Sequence, residues 1–165
     1  MTLTHTDLDS STLRQAFGQF PSGVVAICAE IDGEPMAMAA SSFVGVSFDP
    51  PLVAFCVQDT STTWPKLRAA ERLGVSVLGE AHEEAVRTLA AKTGNRFDGL
   101  TTTTTDEGAV FVDGACAWLD TTVTQEVPAG DHVIVLMRVN GLETRDAMPI
   151  VFHRSGFNRL QLSAG

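Results

Sequence analysis

The sequence is dominated by short apolar segments with the two-residue periodicity of β-strands, and turn signals such as Asp32-Gly33 separate them. About seven strands are predicted, with a last short strand near the C-terminus, at residues 24–31, 36–40, 43–48, 52–57, 73–78, 115–127, 133–139 and 150–153. Helical patterns occur only at about residues 10–20, 64–72 and 80–91. Because the helices do not alternate regularly with the strands, the pattern predicts a mainly β fold, an antiparallel barrel with added helices, rather than a parallel doubly wound sheet.

Two segments in the second half of the chain give more detailed predictions. Residues 92–114 contain five successive threonines and few large apolar side chains, which indicates a long loop with at most short extended pieces. Residues 115–127 alternate between apolar and polar side chains. Continuous alternation would place Val123 on one face of that strand and Glu126 on the opposite face.

The length of 165 residues suits one domain. Residues 1–10 are polar and are predicted to form a flexible N-terminal tail, and residues 11–165 are predicted to form the single domain. Ser10 or Ser11 is expected to cap the first helix. The formal net charge of -9 disfavours nucleic acid and anionic membranes as partners.

Cys28, Cys56 and Cys116 stand far apart, each in an apolar strand-like run. Their odd number and the absence of a Cys-x-x-Cys motif make a disulfide framework and a zinc site improbable, and they fit a reducing compartment. The first ten residues have no basic segment followed by an apolar stretch, so no signal peptide is visible. The apolar runs are too short to span a bilayer. The expected location is therefore cytoplasmic.

Motifs for common catalytic chemistry are absent from the sequence. It contains no Gly-x-Gly-x-x-Gly, no phosphate-binding loop motif and no Gly-x-Ser-x-Gly. No two histidines have metal-ligand spacing, and His82, beside Glu83 and Glu84, is expected on a solvated helix face. No metal is predicted. These absences suit a site in which a cofactor performs the difficult chemical step.

Residues 38–53 carry the most informative pattern, because small residues and hydroxyls lead into a strand and a double-proline turn follows. One interpretation is an ordinary strand pair with a serine-rich turn. The other is a wall of exposed backbone and hydroxyl donors against which a flat polar ring could lie, since small side chains permit close approach.

The sequence resembles the flavin reductase-like proteins, the short-chain NAD(P)H:flavin oxidoreductases that serve as reductase components of two-component flavin monooxygenases. The resemblance covers about residues 13–160 and rests on four motifs in order: Pro21-Ser22-Gly23-Val24; Ser41-Ser42-Phe43, Val46-Ser47 and Asp49-Pro50-Pro51-Leu52-Val53 as one run; Gly130-Asp131-His132; and Pro149-Ile150-Val151-Phe152-His153-Arg154-Ser155-Gly156-Phe157. It implies an FMN-binding split barrel of antiparallel Greek-key type, usually a homodimer. It also implies hydride transfer from NADH or NADPH to FMN or FAD, with reduced flavin passing to a partner monooxygenase.

The resemblance also implies roles for particular residues near the flavin ring. Six successive residues would line the isoalloxazine: Met38, Ala39, Ala40, Ser41, Ser42 and Phe43. Ser47 is similar to a residue close to that ring. Their backbone amides and the hydroxyls of Ser41 and Ser42 would meet its polar edge. The family often has Thr and Asn at the positions of Ala39 and Ser41, so this chain has shorter or missing polar groups there.

Other residues would contact the phosphate and the nicotinamide. Ser61, Thr63 and Lys66 resemble the phosphate contacts of the family, and hydroxyls near an ammonium group also suit an anion on physical grounds. Plain helix capping is the other interpretation of the two hydroxyls. The remaining assignments are Lys92, ahead of Arg96-Phe97, at the nucleotide, His132 at the nicotinamide as an orienting residue, and His153 and Phe157 in the C-terminal part of the pocket. No catalytic side chain is predicted, because hydride transfer needs no protein nucleophile.

Two other functions remain open from the sequence. The protein could hold its flavin tightly and act on an organic substrate itself. It could also bind flavin without turnover. The choices between FMN and FAD, and between NADH and NADPH, are open as well.

Overall fold

The computed structural model describes residues 8–163, so that residues 1–7 of the predicted tail and residues 164–165 lie outside the described residues. The helices are α1 (Ser10–Phe17), α2 (Trp64–Leu67) and α3 (Glu83–Leu89), and a 3₁₀ turn (Glu80–His82) precedes α3. The strands are β1 (Val25–Ile31), β2 (Glu34–Ala40), β3 (Val44–Phe48), β4 (Pro51–Gln58), β5 (Leu73–Val77), β6 (Thr102–Thr104), β7 (Val110–Val112), β8 (Ala117–Ala129), β9 (His132–Thr144), β10 (Ile150–His153) and β11 (Gly156–Arg159).

Seven of these strands form one antiparallel sheet in the order β2-β1-β5-β8-β9-β4-β3. β2 and β3 follow each other in the chain but lie at the two edges of the sheet, so the barrel is split between them. The predicted mainly β fold, with an antiparallel barrel and added helices, is confirmed. β10 pairs with β11, and β6 pairs with β7, in two small additional sheets.

β1 is apolar on both faces because it separates two apolar cores. Val25 and Ile27 face the barrel interior and pack in one cluster with residues of β4, β5 and β9. Ala26 and Cys28 belong to the second cluster, outside the barrel, which includes residues of α3 and β7. A strand buried on both faces reads as a continuous apolar run, as residues 24–29 do.

The helix ends differ from the predictions. Asp9, not Ser10 or Ser11, caps α1, because its carboxylate accepts a hydrogen bond of 2.7 Å from the amide of Thr12. α2 ends at Leu67, well short of the predicted residue 72.

The prediction of unbroken alternation through residues 115–127 is wrong. A β-bulge after Val123 shifts the register of β8, so that Val123 pairs with Met137 while Glu126 pairs with Val135. Met137 and Val135 lie on the same face of β9, and Glu126 therefore shares the face of Val123. There the Glu126 carboxylate accepts a 2.8 Å hydrogen bond from the indole of Trp64.

The prediction that His82 lies on a solvated helix face is also wrong, because the side chain is buried. Its Nδ1 accepts a hydrogen bond of 3.1 Å from the amide of Gly79, and its Nε2 lies 3.0 Å from the carbonyl oxygen of Asp113. The 3₁₀ turn before α3 directs the ring inward, where both nitrogens find backbone partners. His82 thus ties this turn to the loop after β7.

The cysteines are free thiols, as predicted, and burial raises the pKa of Cys28 to about 12. Within residues 8–163, no helix is both long enough and apolar enough to cross a bilayer.

Candidate functional site

The largest cleft relevant to the predicted site lies at the split in the barrel and has a volume of about 570 Å³. The end of β2 forms one wall, and the end of β4 with the loop that follows forms the other. Its lining residues are Met38, Ala39, Ala40, Ser41, Ser42, Cys56, Val57, Gln58, Thr60, Ser61, Thr62, Thr63, Lys92, Arg96 and His132. Most of the residues predicted from the sequence are therefore brought together in one place.

Ser42 joins the two walls of this main cleft across the split. Its hydroxyl accepts a hydrogen bond of 2.9 Å from the amide of Cys56 and donates one of 3.1 Å to the carbonyl oxygen of the same residue. The hydroxyl of Ser42 was predicted to contact a ligand, but its proton is donated to the Cys56 carbonyl oxygen within the protein. Ser41 is exposed and lines the cleft.

A second cleft of about 310 Å³ continues from the main one and shares Thr62, Thr63 and Arg96 with it. Its other lining residues are Pro35, Met36, Ala37, Lys66, Gly94, Asn95 and Phe97. Lys66 and Phe97, both predicted site residues, lie here rather than in the main cleft. The two clefts together form an elongated groove.

The groove is basic in an otherwise acidic chain. Lys66, Lys92 and Arg96 line it, and no aspartate or glutamate does. These two lysines are the only lysines in the sequence, whose net charge is -9. Among residues 8–163, no carboxylate lies within ion-pair distance of any of the three cations. Cations without carboxylate partners, lining one concave surface, are suited to attract an anion.

Sequence reasoning did not assign a role to Arg96, which lies where the two clefts meet. One guanidinium nitrogen, Nη1, donates a hydrogen bond of 2.7 Å to the carbonyl oxygen of Ala37 and one of 2.9 Å to Oγ1 of Thr63. Arg96 thereby links β2 to the start of α2. A single arginine within a polar loop carries no sequence signal for this bridging role.

The two hydroxyls predicted at the phosphate have partners within the protein. Oγ of Ser61 accepts a hydrogen bond of 3.1 Å from the amide of Trp64, which is the capping interpretation of this residue. Oγ1 of Thr63 accepts from Arg96. Each oxygen keeps a free lone pair, and the Thr63 hydroxyl proton remains available for an anion.

His132 begins β9 at the rim of the main cleft, paired with Gln58 of β4. Its Nδ1 lies 2.7 Å from Oδ1 of Asp131, and the hydrogen bond to His132 lowers the pKa of the Asp131 carboxyl. The bond fixes the imidazole orientation, and the side chain is 37% exposed. His132 is accessible to a ligand in the cleft and is held in one direction by its neighbour.

Four predicted residues lie outside the groove. Phe43 packs against the barrel core, Ser47 lies on the edge strand β3, and His153 pairs with Gly156 in the β10–β11 hairpin. Phe157 lines a separate apolar cleft of about 180 Å³, which borders the main cleft because both are lined by residues 39–41. Phe43 is turned away from the cleft because its apolar ring is stabilised by contact with the core.

The fold is a split antiparallel barrel with a basic groove at its split, an arrangement that suits an anionic ligand lying along an exposed strand. Residues 17–161 match the flavin reductase like domain, and the chain belongs to this family.

Relatives of known name cover nearly the whole chain. A flavin reductase of Pseudomonas putida is 36% identical over 152 residues, which are 91% of this chain and 89% of that protein. The reductase subunit HsaB of a flavin-dependent monooxygenase of Mycobacterium tuberculosis is 30% identical, over 93% of this chain and 84% of that one. The NADH:FAD oxidoreductase SgcE6 of Streptomyces globisporus, solved with NAD and FAD fragments, is 31% identical with a TM-score of 0.92, covering 99% of this chain and 100% of that chain.

The bridge made by Arg96 predicts a measurable loss of stability. Replacing the half-buried Arg96 with Met keeps its length but leaves the Ala37 carbonyl and the Thr63 hydroxyl without their donor. We expect Arg96→Met to lower the free energy of unfolding by about 1.5–3 kcal/mol, measured by urea denaturation. Arg138→Met, at an exposed position of β9, is the matched control and should change it by less than about 0.5 kcal/mol. Equal effects of the two substitutions would show that the bridge contributes nothing.

Proposed function

We propose that the protein is an NAD(P)H-dependent flavin reductase that transfers hydride to FMN or FAD and supplies reduced flavin to a partner monooxygenase. The observation that carries this proposal is the juxtaposition, in one groove, of a small-residue strand end and three cations that have no carboxylate partner among residues 8–163. Membership of the flavin reductase like family, together with the functions of the relatives, supports the same activity.

The residues of the groove fit a flavin. Residues 39–41 present small side chains, and residues 39–40 also the backbone of an edge strand, so that the polar edge of a flat ring can approach the amides closely. Lys66 and Arg96 lie at the far end, where the phosphate would be held by charge-assisted hydrogen bonds. A bound flavin supplies the hydride-accepting chemistry that no side chain of this protein provides.

The protein contributes binding and orientation to the reaction. Hydride transfer requires the donor and acceptor rings to be stacked about 3–3.5 Å apart. His132, oriented by Asp131 at the rim of the main cleft, is suited to hold the nicotinamide in that geometry. The open mouth of the cleft is compatible with exchange of oxidised for reduced flavin. The alternative function is that of a protein that holds its flavin tightly and acts on an organic substrate itself. Measuring the release of reduced flavin distinguishes the two functions, because only the reductase releases it.

We also propose that two copies of the chain form a homodimer that covers the exposed apolar side chains of β3. Phe48 is fully exposed, and Val44 and Val46 are 54% and 50% exposed, on an edge strand. An apolar edge strand of this kind is normally covered by another chain or segment. β3 is also the strand that faces the split in the barrel, so a second copy would lie near the groove.

We propose a cytoplasmic location for the protein. The three free thiols fit a reducing compartment, in which the reduced nicotinamide is also available. Cell fractionation with antibody detection checks this location.

A steady-state assay that crosses both flavins with both nicotinamides tests the proposed activity. We expect oxidation of NADH or NADPH only when FMN or FAD is added, because no side chain in the groove can accept a hydride. Absorbance at the nicotinamide band measures turnover. A folded protein that turns over none of the four combinations would contradict the reductase function.

His132→Ala should slow flavin reduction more than it weakens flavin binding. Removing one orienting hydrogen bond predicts a rate of reduction about threefold to tenfold lower at a fixed nicotinamide concentration. Anaerobic stopped-flow on the flavin-loaded protein measures the rate. Asp131→Asn, which retains the ring but removes the charge beside it, should give a smaller effect in the same direction. A wild-type rate with a lowered melting temperature would assign His132 a structural role only.

The proposed dimer predicts a light-scattering mass of twice the chain mass at micromolar concentration. Phe48→Glu should shift the protein toward the monomer, because it places a charge within the covered apolar surface. Phe48→Tyr, which keeps the aromatic ring, should remain dimeric. A monomeric wild-type protein with full activity would exclude the dimer.

A further inference from the structure

A further cleft, of about 540 Å³, lies between α1 with the turn after it and the tip of the β10–β11 hairpin, and we call it the tip cleft. The side chains that line it are those of Ser11, Arg14, Gln15, Gln19, Arg154 and Ser155. It shares no residue with the groove or with the apolar cleft beside Phe157. The tip cleft is therefore a separate feature of the surface, and the proposed hydride transfer does not use it.

The lining of the tip cleft is rich in hydrogen-bond donors and is positively charged. Each of its six side chains can donate a hydrogen bond, and none is a carboxylate. Among residues 8–163, no carboxylate lies within ion-pair distance of Arg14 or Arg154. Because the chain as a whole carries a net charge of -9, two such arginines in one cleft are suited to carboxylates supplied by another molecule.

Contacts within the protein hold the Arg154 side chain in one direction. Its Nε and Nη2 donate hydrogen bonds of 3.1 and 2.7 Å to Oε1 of Gln19. Its backbone amide donates a hydrogen bond of 3.0 Å to the carbonyl oxygen of Gly18. Since an arginine has five N–H donors, this arrangement leaves the Nη1 amino group to donate to a ligand. A guanidinium that is already held in place loses less conformational entropy when it binds a carboxylate.

The lining favours a segment of another protein over a nucleotide. No aromatic or apolar side chain lines the tip cleft, so a nucleoside base would find no surface on which to stack. The two guanidiniums belong to different elements, since Arg14 lies in α1 and Arg154 at the hairpin tip. A peptide that carries several carboxylates can reach both at once, whereas a single small anion makes less use of the cleft.

The tip cleft also lies near the site from which reduced flavin would leave. The hairpin that carries Arg154 at its tip carries Phe152 and Phe157 in its strands. Both of these side chains line the apolar cleft that borders the main cleft. Each strand of the hairpin has only four residues, so a protein bound at the tip would lie close to the proposed flavin site.

We propose that the tip cleft is a docking surface for an acidic segment of the monooxygenase that receives the reduced flavin. The identity of this partner rests on the proposed reductase function, whereas the acidic chemistry of the segment rests on Arg14 and Arg154. Carboxylates of the segment accept hydrogen bonds from the two guanidiniums. Docking at this surface shortens the path of the reduced flavin to the monooxygenase.

Isothermal titration calorimetry with a hexaglutamate peptide, at low ionic strength and with FMN at saturation to occupy the groove, tests this surface. We expect hexaglutamate to bind and a hexaglutamine peptide not to bind. Arg14→Gln and Arg154→Gln should each raise the dissociation constant for hexaglutamate about threefold to fivefold, because each removes one exposed ion pair. Arg138→Gln, at an exposed position of β9, and Lys66→Gln, in the groove, are the matched controls and should not change it.

Three results would overturn the docking surface. The first is that hexaglutamate does not bind, and the second is that the control substitutions weaken its binding as much as Arg14→Gln does. The third is that inorganic sulfate binds as tightly as the peptide, since this would identify a site for a small anion. A melting curve of each variant verifies folding.

Assays of flavin reduction separate this inference from the proposed function. Arg14 and Arg154 lie outside the groove, so Arg14→Gln and Arg154→Gln should reduce free flavin at the wild-type rate. A wild-type protein that reduces flavin but does not bind hexaglutamate would overturn the docking surface alone. A wild-type protein that binds hexaglutamate but reduces no flavin would contradict the reductase function, and with it the identity of the partner.

Discussion

The structure depends on the place where its sheet fails to close. β2 and β3 are neighbours in sequence but are the two edges of the sheet, and the connection between them is tied to β4 by the two hydrogen bonds between Ser42 and Cys56. An edge strand keeps backbone donors and acceptors that no other strand uses. Since the side chains at the end of β2 are small, this backbone is accessible. The fold thereby provides a polar recognition surface without any specialised side chain.

The distribution of charge determines which ligand this surface can attract. A chain of net charge -9 repels anions as a whole, yet both of its lysines and Arg96 line the groove. A phosphate would gain the full attraction of these cations, because no carboxylate in the described range neutralises them. The same concentration of charge explains why the groove, rather than the apolar cleft beside Phe157, is assigned to the nucleotide.

Much of the fold and part of the site could be predicted from the sequence, for reasons visible in particular residues. Strand periodicity predicted β1 to β5 closely, and residues of the motif around Ser41 and Ser42 do line the main cleft. The bulge after Val123 reversed the faces of β8, and local periodicity carries no information about such a shift. The inward turn of His82 and the bridge made by Arg96 depend on partners 31 to 59 residues away in sequence. Long-range contacts of this kind leave no trace in a local pattern.

In the proposed complex, flavin binds along the end of β2 and reaches the end of the groove that holds Lys66 and Arg96. Hydrogen–deuterium exchange of the protein with and without FMN tests this location directly, because ligand binding slows exchange of the backbone amides that it contacts. We expect slower exchange at residues 38–42, 60–66 and 92–97, with little change in the β10–β11 hairpin. Protection confined to other parts of the chain, or no protection at saturating FMN, would contradict it.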